Sequence, residues 1–353
     1  MVYSNFSNVK IRGISVAVPK NAEDNFVRAE ELHLQNTEQF IDVVGVRQRH
    51  VAIDGQTASD LCFEAASSLL EKFDIDKNSI DALLFVTQTP DYIQPATACV
   101  LHGRLGLPKS TMAFDINLGC SGFVYGLTMA STMITGMGAK RVLLLVGDIL
   151  RKNKEVDIKD TLLFGDVGTA TIVEQSTGSN IESILYTDGT RYKSLIVPGG
   201  GTRRTLADGE SYWAITKPEM DGESVMSFTI TEVPKAFKEL FSHNQKTIND
   251  YDFCVLHQAN KQMITYISKK LKVLEDKLPI SMDRFGNTNG SSILVTLADR
   301  CSKLQENMPL NIIASGFGIG LSWGVVTFSI NSGDILPIQY TDVKFEEAYC
   351  GNF

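Results

Sequence analysis

Residues 115 to 123 read Asp115-Ile116-Asn117-Leu118-Gly119-Cys120-Ser121-Gly122-Phe123. The stretch leaves a short strand-like run, Met112 to Ile116, and enters an apolar helical segment after Cys120, so it marks a strand-to-helix turn. Gly119 and Gly122 allow backbone geometries and close approaches that side chains would block. Cys120 then sits at a helix N-terminus, where the positive end of the macrodipole favours thiolate, the nucleophilic form. The residues alone leave two readings open, a reactive thiol or a small buried apolar side chain.

The strand-turn-helix step recurs on both sides of this stretch. Upstream, a strand near Val9 to Val18 precedes a helix from Thr57 to Phe73, an apolar strand from Ala82 to Val86 and a helix from Ala96 to Leu105. Downstream come the buried strand at 142 to 147 and another at Thr169 to Glu174. A second series begins with Ile181 to Tyr186 and a helix from Val225 to Phe241, interrupted by Pro234. It continues with the strand at 252 to 256, a helix from Ala259 to Leu271 and a short extended stretch near Leu278. A helix from Ser291 to Leu304, the strand at 311 to 315 and a last strand ending near Ile330 complete it. Alternating strands and helices predict an α/β protein with largely parallel, helix-covered sheets. The matching order of elements predicts two related halves, 1–176 and 177–331, about a pseudo-twofold axis. Residues 332–353 extend past the last expected strand, and the sequence assigns them no role.

Composition narrows the class. The 353 residues are 43% hydrophobic and 21% charged, as in a folded globular protein rather than a disordered one. A net charge of −8 with interspersed signs offers no basic stripe for nucleic acid. Six cysteines, at 62, 99, 120, 254, 301 and 350, show no CxxC spacing, which fits a reducing cytoplasm. The first residues lack the apolar core of a secretory signal. Asn311 to Ile330 runs twenty residues without a charge, long enough to span a bilayer. Its four glycines and its Val, Thr, Phe and Trp content favour strand, glycine turn and strand over a membrane helix.

Three further positions carry polar chemistry at element ends. His257 follows the strand at 252 to 256, at the carboxyl end where parallel-sheet proteins place functional groups. Asn287 lies in Phe-Gly-Asn-Thr-Asn-Gly-Ser-Ser-Ile, residues 285 to 293, which reads equally well as a turn and helix cap. The turn around Gly316, Gly318 and Gly320 exposes backbone amides to a ligand. The histidines show no metal-ligand spacing and no nucleotide-cofactor motif stands out, so neither a metal nor a cofactor is expected.

Together DINLGCSGFVYGL, LHQANKQMI, RFGNTNGSSI and ASGFGIGLSWG resemble the β-ketoacyl-acyl-carrier-protein synthase III group of the thiolase superfamily. LLFGDVGTATIVE at 162 to 174 and QTPDYIQPATACVLHGRLGL at 88 to 107 are similar too, so the resemblance runs from Val9 to Ile330. It implies a thiolase fold, two βαβαβαββ halves in five α-β-α-β-α layers, and a homodimer. It implies that Cys120 is acylated by an acyl thioester, with the backbone N–H groups of Cys120 and Ile319 as the oxyanion hole. His257 and Asn287 would then stabilise the enolate formed when a malonyl thioester loses carbon dioxide, giving a 3-oxoacyl thioester. Helix-end stabilisation and proximity to His257 are expected to activate the thiol. An acidic acyl carrier protein would dock on Lys261, Lys269 and Lys270, and Phe40 and Gly318 would contact substrate.

The chain also departs from that pattern. The family's adenine clamp of one Trp and two Arg is replaced by Phe40, Val44 and Ile158 beside Lys159, which leaves the primer's carrier open between coenzyme A and the carrier protein. Ile319 stands where glycine is more frequent, and Gln262 where a basic docking residue is found. Two other readings remain: an acyltransferase of the same fold that passes the acyl group to an oxygen or nitrogen nucleophile, and a catalytically silent partner subunit. Retention of Cys120, His257 and Asn287 together argues against both.

Overall fold

The computed structural model describes residues 2–34, 36–150, 161–207, 209–305 and 307–346. Its main strands are β1 (Val2–Pro19), β2 (Ala82–Val86), β3 (Met112–Ile116), β4 (Arg141–Asp148), β5 (Val167–Thr187), β6 (Phe253–Leu256), β7 (Pro309–Gly318), β8 (Ser322–Asn331) and β9 (Gln339–Thr341). The main helices are α1 (Ala58–Lys72), α2 (Thr97–Leu105), α3 (Gly122–Met137), α4 (Gly222–Asn244), α5 (Lys261–Leu271) and α6 (Ser292–Cys301).

The repeat expected from the order of elements is present in the pairing. In the first half β3, β2 and β4 are parallel neighbours, followed by antiparallel β5. In the second, β6 and β7 are parallel, followed by antiparallel β8 and then β5 again. The link is that β1 and β5 serve both sheets. Val9–Ala17 pairs with Gly168–Gln175, and Val2–Ser7 pairs with Asn180–Leu185. The ladder shifts register at a corner where Asn8 and Gly178 both adopt positive φ, and the Gly178 N–H donates to Asn8 Oδ1 at 3.1 Å. The boundary expected between 176 and 177 thus falls inside one strand, at this corner.

Period-two alternation sorts the strands onto layers. Leu83, Phe85, Leu143 and Leu145 face one way, into a core with α1 and α2. Leu84, Val86, Leu144 and Val146 face the other way, onto α3 and α6. The second sheet sends Ile312, Ala314 and Val326 to that same central layer. Its Ile313 and Val325 pack outward on α4 and α5. The layers are therefore α1/α2, sheet, α3/α6, sheet and α4/α5, the thiolase arrangement. Cutting a fully buried residue such as Leu144 to alanine costs about 2–5 kcal/mol in a core of this kind.

Three local expectations change. α4 runs through Pro234 without interruption. Proline supplies no N–H to the Ile230 carbonyl one turn back, and Lys270 Nζ of α5 donates to that oxygen instead, at 3.0 Å. The stretch near Leu278 forms no strand, because Pro279 follows it and a 3-10 turn at Glu275–Lys277 precedes it. The tail beyond Ser332 contributes a strand of its own, β9, which lies parallel to β1 at Ala17–Pro19. The uncharged stretch 311–330 is β7, a turn and β8, as expected. No helix among the described residues is long and apolar enough to cross a membrane.

Candidate active site

Cys120 sits in the tight turn between β3 and α3, where the Gly122 N–H donates to the Gly119 carbonyl at 2.6 Å. The end of β7 lies directly against it. A Cβ on Gly318 would stand 2.6 Å from Cys120 Cβ and 2.8 Å from Sγ, so only glycine lets β7 pass the sulfur at this distance. Two serines fasten the following turn to the nucleophile: Ser121 Oγ is 2.7 Å from Ser322 Oγ, and Ser322 Oγ donates to the Ile319 carbonyl at 2.8 Å.

Burial pushes the Cys120 thiol up to about 12, with the Asp148 charge adding to the effect. Contacts from the backbones of Ile319 and of Cys120 itself pull the other way. Backbone can lower a thiol's pKa only by donating N–H to sulfur, so these two groups face the reacting atom. Desolvation thus opposes the thiolate expected from the helix end and favours the neutral thiol.

His257 follows β6, and its N–H donates to the Ser315 carbonyl of β7 at 2.8 Å. The ring meets Phe317 edge-on at 5.4 Å, and its Nδ1 lies 2.7 Å from Ser292 Oγ. Burial lowers its pKa to about 3, opposed by a contact with the Asn289 backbone. The imidazole is therefore neutral at physiological pH. Asn287 is buried, and its Oδ1 accepts the Asn289 N–H at 2.9 Å. That bond orients the amide with Nδ2 as its donor, and Nδ2 donates a long hydrogen bond to the Ala259 carbonyl at 3.5 Å.

Asn289 is the hub that joins these groups. It adopts a left-handed φ of 49°, and its Nδ2 donates to Asp148 Oδ2 at 2.8 Å and to Gln88 Oε1 at 3.3 Å. Asp148, buried beyond β4, also accepts from the Gln88 N–H, Thr87 Oγ1 and Thr89 Oγ1. Burial raises its pKa to about 7 despite those donors. Cys120, Asn289 and Ile319 line one cavity of about 1010 Å³, whose far wall includes Tyr92, Ile93 and Leu195. His257 and Asn287 lie behind that surface, at 1% and 5% exposure.

The other expected residues fall elsewhere. Phe40 and Val44 lie on the short helix Thr37–Val44, which packs beside α5, and neither lines the cavity. Ile158 and Lys159 lie outside the described residues. The Lys261 stem packs over Gly45. Lys270 is committed to the Ile230 carbonyl, which its expected docking role did not foresee. Lys269 is exposed in the last turn of α5. Sequence reasoning missed Asn289 and Ser292, although both stand in the stretch quoted around Asn287, and it missed Asp148 and Gln88. Among the described residues no cluster of side chains is suited to hold a metal.

Known proteins resemble this chain in sequence and in fold. The family described as 3-oxoacyl-[acyl-carrier-protein] synthase III matches residues 114–189, and its C-terminal counterpart matches residues 241–330. The β-ketoacyl-[acyl-carrier-protein] synthase III of Nitratidesulfovibrio vulgaris strain DP4 is 33% identical over 322 residues, 89% of this chain and 96% of its own. That of Clostridium perfringens strain ATCC 13124 is 31% identical over 329 residues, covering 92% and 99%. The crystal structure of a 3-oxoacyl-(acyl-carrier protein) synthase from Burkholderia xenovorans LB400 superposes with a TM-score of 0.88 at 33% identity, covering 96% of this chain and 99% of that one.

Proposed function

The chain belongs to the 3-oxoacyl-[acyl-carrier-protein] synthase III family of condensing enzymes, and we propose that Cys120, His257 and Asn287 carry out its two half-reactions. The observation that supports this reading is that Asn289, which lines the cavity with Cys120, donates its N–H to Asn287 Oδ1 and contacts His257 through its backbone.

In the first half-reaction an acyl thioester enters the cavity. Cys120 sulfur attacks its carbonyl carbon, and the thiol proton passes to the departing thiol of the carrier. The oxyanion is held by the Cys120 and Ile319 N–H groups, which face the sulfur in the empty site. A neutral thiol suits this step, because no buried negative charge has to exist before the substrate arrives to disperse it.

In the second, a malonyl thioester loses carbon dioxide and becomes an enolate. Its oxygen accepts from Asn287 Nδ2 and from the Nε2–H of His257. Ser292 fits that tautomer: its Oγ accepts the Gln258 N–H at 3.3 Å and lies 2.7 Å from His257 Nδ1, to which its own hydrogen would be donated. The enolate carbon then attacks the acyl group on Cys120, forming the carbon–carbon bond and releasing sulfur, which regains a proton. No metal or cofactor is required. Both donors are neutral, so neither must lose a proton to act. The matched family favours condensation over acyl transfer to oxygen or nitrogen.

The partners follow from the same reading. The malonyl donor is an acyl carrier protein thioester, with the exposed Lys269 at the end of α5 as a docking contact and Lys261 beside it. Among the described residues β3 pairs only with β2 and carries exposed Met112 and Phe114, so we assign that sheet edge to a homodimer contact. The five described cysteines are free, which supports a cytoplasmic site of action. Fatty-acid initiation is the pathway these substrates fit. The test is direct. Incubation with acyl thioesters should give an acyl adduct, seen by intact mass, that Cys120→Ala abolishes. Cys120→Gln should still release carbon dioxide from malonyl-carrier protein. Absence of an adduct from every acyl donor would refute the proposal.

A further inference from the structure

The segment after Ser332 lies beyond the part of the chain that the family match covers, which ends at residue 330. It nonetheless reaches the substrate cavity through a continuous set of contacts. After β9, the buried Gln56 donates Nε2 to the carbonyls of Thr341 and Val343, at 3.3 and 2.9 Å. The Phe345 N–H then donates to Asp60 Oδ1 at 3.0 Å. Asp60 is buried at the start of α1 and pairs with Arg104 of α2 at 2.9 Å. The Arg104 guanidinium lies between two rings, Phe63 at 4.8 Å and Phe345 at 4.5 Å. Arg104 Nη1 donates to Ser59 Oγ at 3.0 Å, and Ser59 Oγ donates to Asp91 Oδ2 at 2.6 Å. Asp91, with Pro90, Tyr92 and Ile93, forms part of the cavity wall that also holds Cys120.

One guanidinium thus balances two carboxylates, Asp60 and Asp91. The tail covers the side of that guanidinium which Phe63 leaves open. Without Phe345, water reaches Arg104 and screens it, which weakens its pull on Ser59 and its compensation of Asp91 and Asp60. The wall at 90–93 would then relax about the Asp91 N–H, which still donates to Thr97 Oγ1 at 2.9 Å, with Ile93 93% exposed.

We propose that the C-terminal segment is a specificity element for the acyl primer: by clamping Arg104 it positions the Pro90–Ile93 wall and so sets which acyl groups the cavity accepts. This rests on the reading above that the cavity receives the acyl group. Arg104, Ser59 and Phe345 act as positioning residues, and none is expected to touch substrate.

The experiment compares the full chain, a chain ended after Thr341 and Arg104→Gln. It measures kcat/KM for straight-chain acyl thioesters from acetyl to decanoyl with malonyl-carrier protein as the second substrate. Both altered proteins should shift the decanoyl-to-acetyl ratio by about tenfold, the scale on which a pocket discriminates small changes in apolar bulk. Should the shortened chain fail to fold, Phe345→Ala and Ser59→Ala provide the same ratio. A ratio equal to that of the full chain, with all primers falling together or none falling, overturns the proposal while leaving the reaction intact. Failure of the full chain to form any Cys120 adduct refutes the proposed reaction instead, and this inference with it.

Discussion

Gly318→Ala tests the proximity of β7 to the nucleophile with one methyl group. The new Cβ would sit 2.6 Å from Cys120 Cβ and 2.8 Å from Sγ, where unstrained contacts between such atoms lie at about 3.5–4.0 Å. Either β7 or Cys120 must move by roughly 1 Å, at an overpacking cost of about 1–3 kcal/mol. A displacement of that size at a reacting atom lowers rate by about 100-fold. Because Gly318 lacks a positive φ, the effect is steric and not conformational. The assay is the rate of acyl-adduct formation on Cys120 by quenched-flow intact mass, alongside thermal melting. Gly103→Ala is the matched control: a Cβ there meets nothing within 4 Å, and in helix α2 it should stabilise by roughly 0.5–1 kcal/mol without changing the acylation rate. Acylation of Gly318→Ala within a few-fold of the natural rate, with an unchanged melting point, would show that β7 does not press on the sulfur as described.

Other expectations follow from the same geometry. Ser292→Ala removes the hydroxyl that holds His257 Nδ1, so malonyl decarboxylation in the Cys120→Gln background should fall by roughly 10–100-fold while acylation of Cys120 by the natural-cysteine form stays near normal. Equal losses in both steps would mean that Ser292 supports the fold and not the tautomer. Because His257 is held near 3, the pH profile of that decarboxylation should show no acid limb at 6.5, and a limb there would contradict a buried neutral imidazole. Asp148 and His257 oppose each other in stability. Asp148 is raised from 3.8 to about 7, so across that window the folded state holds the extra proton and stability falls as pH rises. His257 is lowered from 6.5 to about 3, so the unfolded state holds the extra proton there and stability rises with pH. Asp148→Asn removes the first effect, and urea unfolding between pH 4 and 6.5 should steepen upward by up to ~1.4 kcal/mol per pH unit. An unchanged slope would mean that Asp148 is charged in the folded protein at these pH values. Finally, Lys269→Glu should raise KM for malonyl-carrier protein by about tenfold and leave KM for a malonyl thioester of a small thiol unchanged. A matching rise for the small thioester would remove Lys269 from the docking surface.

Much of this architecture was open to reading in the chain because it rests on local pattern. Ala82–Val86 and Met112–Ile116 are strands since short apolar runs bounded by turn residues have few alternatives. Cys120 stood out because its glycines made a turn unavoidable. What escaped depends on residues far apart in sequence. Pro234 reads as a helix breaker until Lys270, on another helix, supplies the missing donor. The polar stretch between Glu174 and Ile181 reads as a loop between two strands, yet with Asn8 as its partner it is a corner in one strand. Asp148 looks like the polar end of an apolar strand. Its burial beside Asn289 is set by two halves of the chain coming together. The burial around Cys120 escaped for the same reason, since the helix end is local and desolvation is not.

The double service of β1 has a consequence for how the protein is made. β1 leaves the ribosome before the other described strands, but its ladder partner, Gly168–Leu185, emerges only after β2, β3 and β4, and its other neighbour, β9, later still. At a bacterial or eukaryotic translation rate of about 5–20 residues per second, β1 waits roughly 10–30 s with both edges unpaired. For that interval the nascent chain carries an open strand with alternating Val and Ile, an edge open to pairing with other chains until β5 arrives. Slowing synthesis between residues 19 and 167 should therefore lower the soluble fraction more than slowing it after β5 is complete.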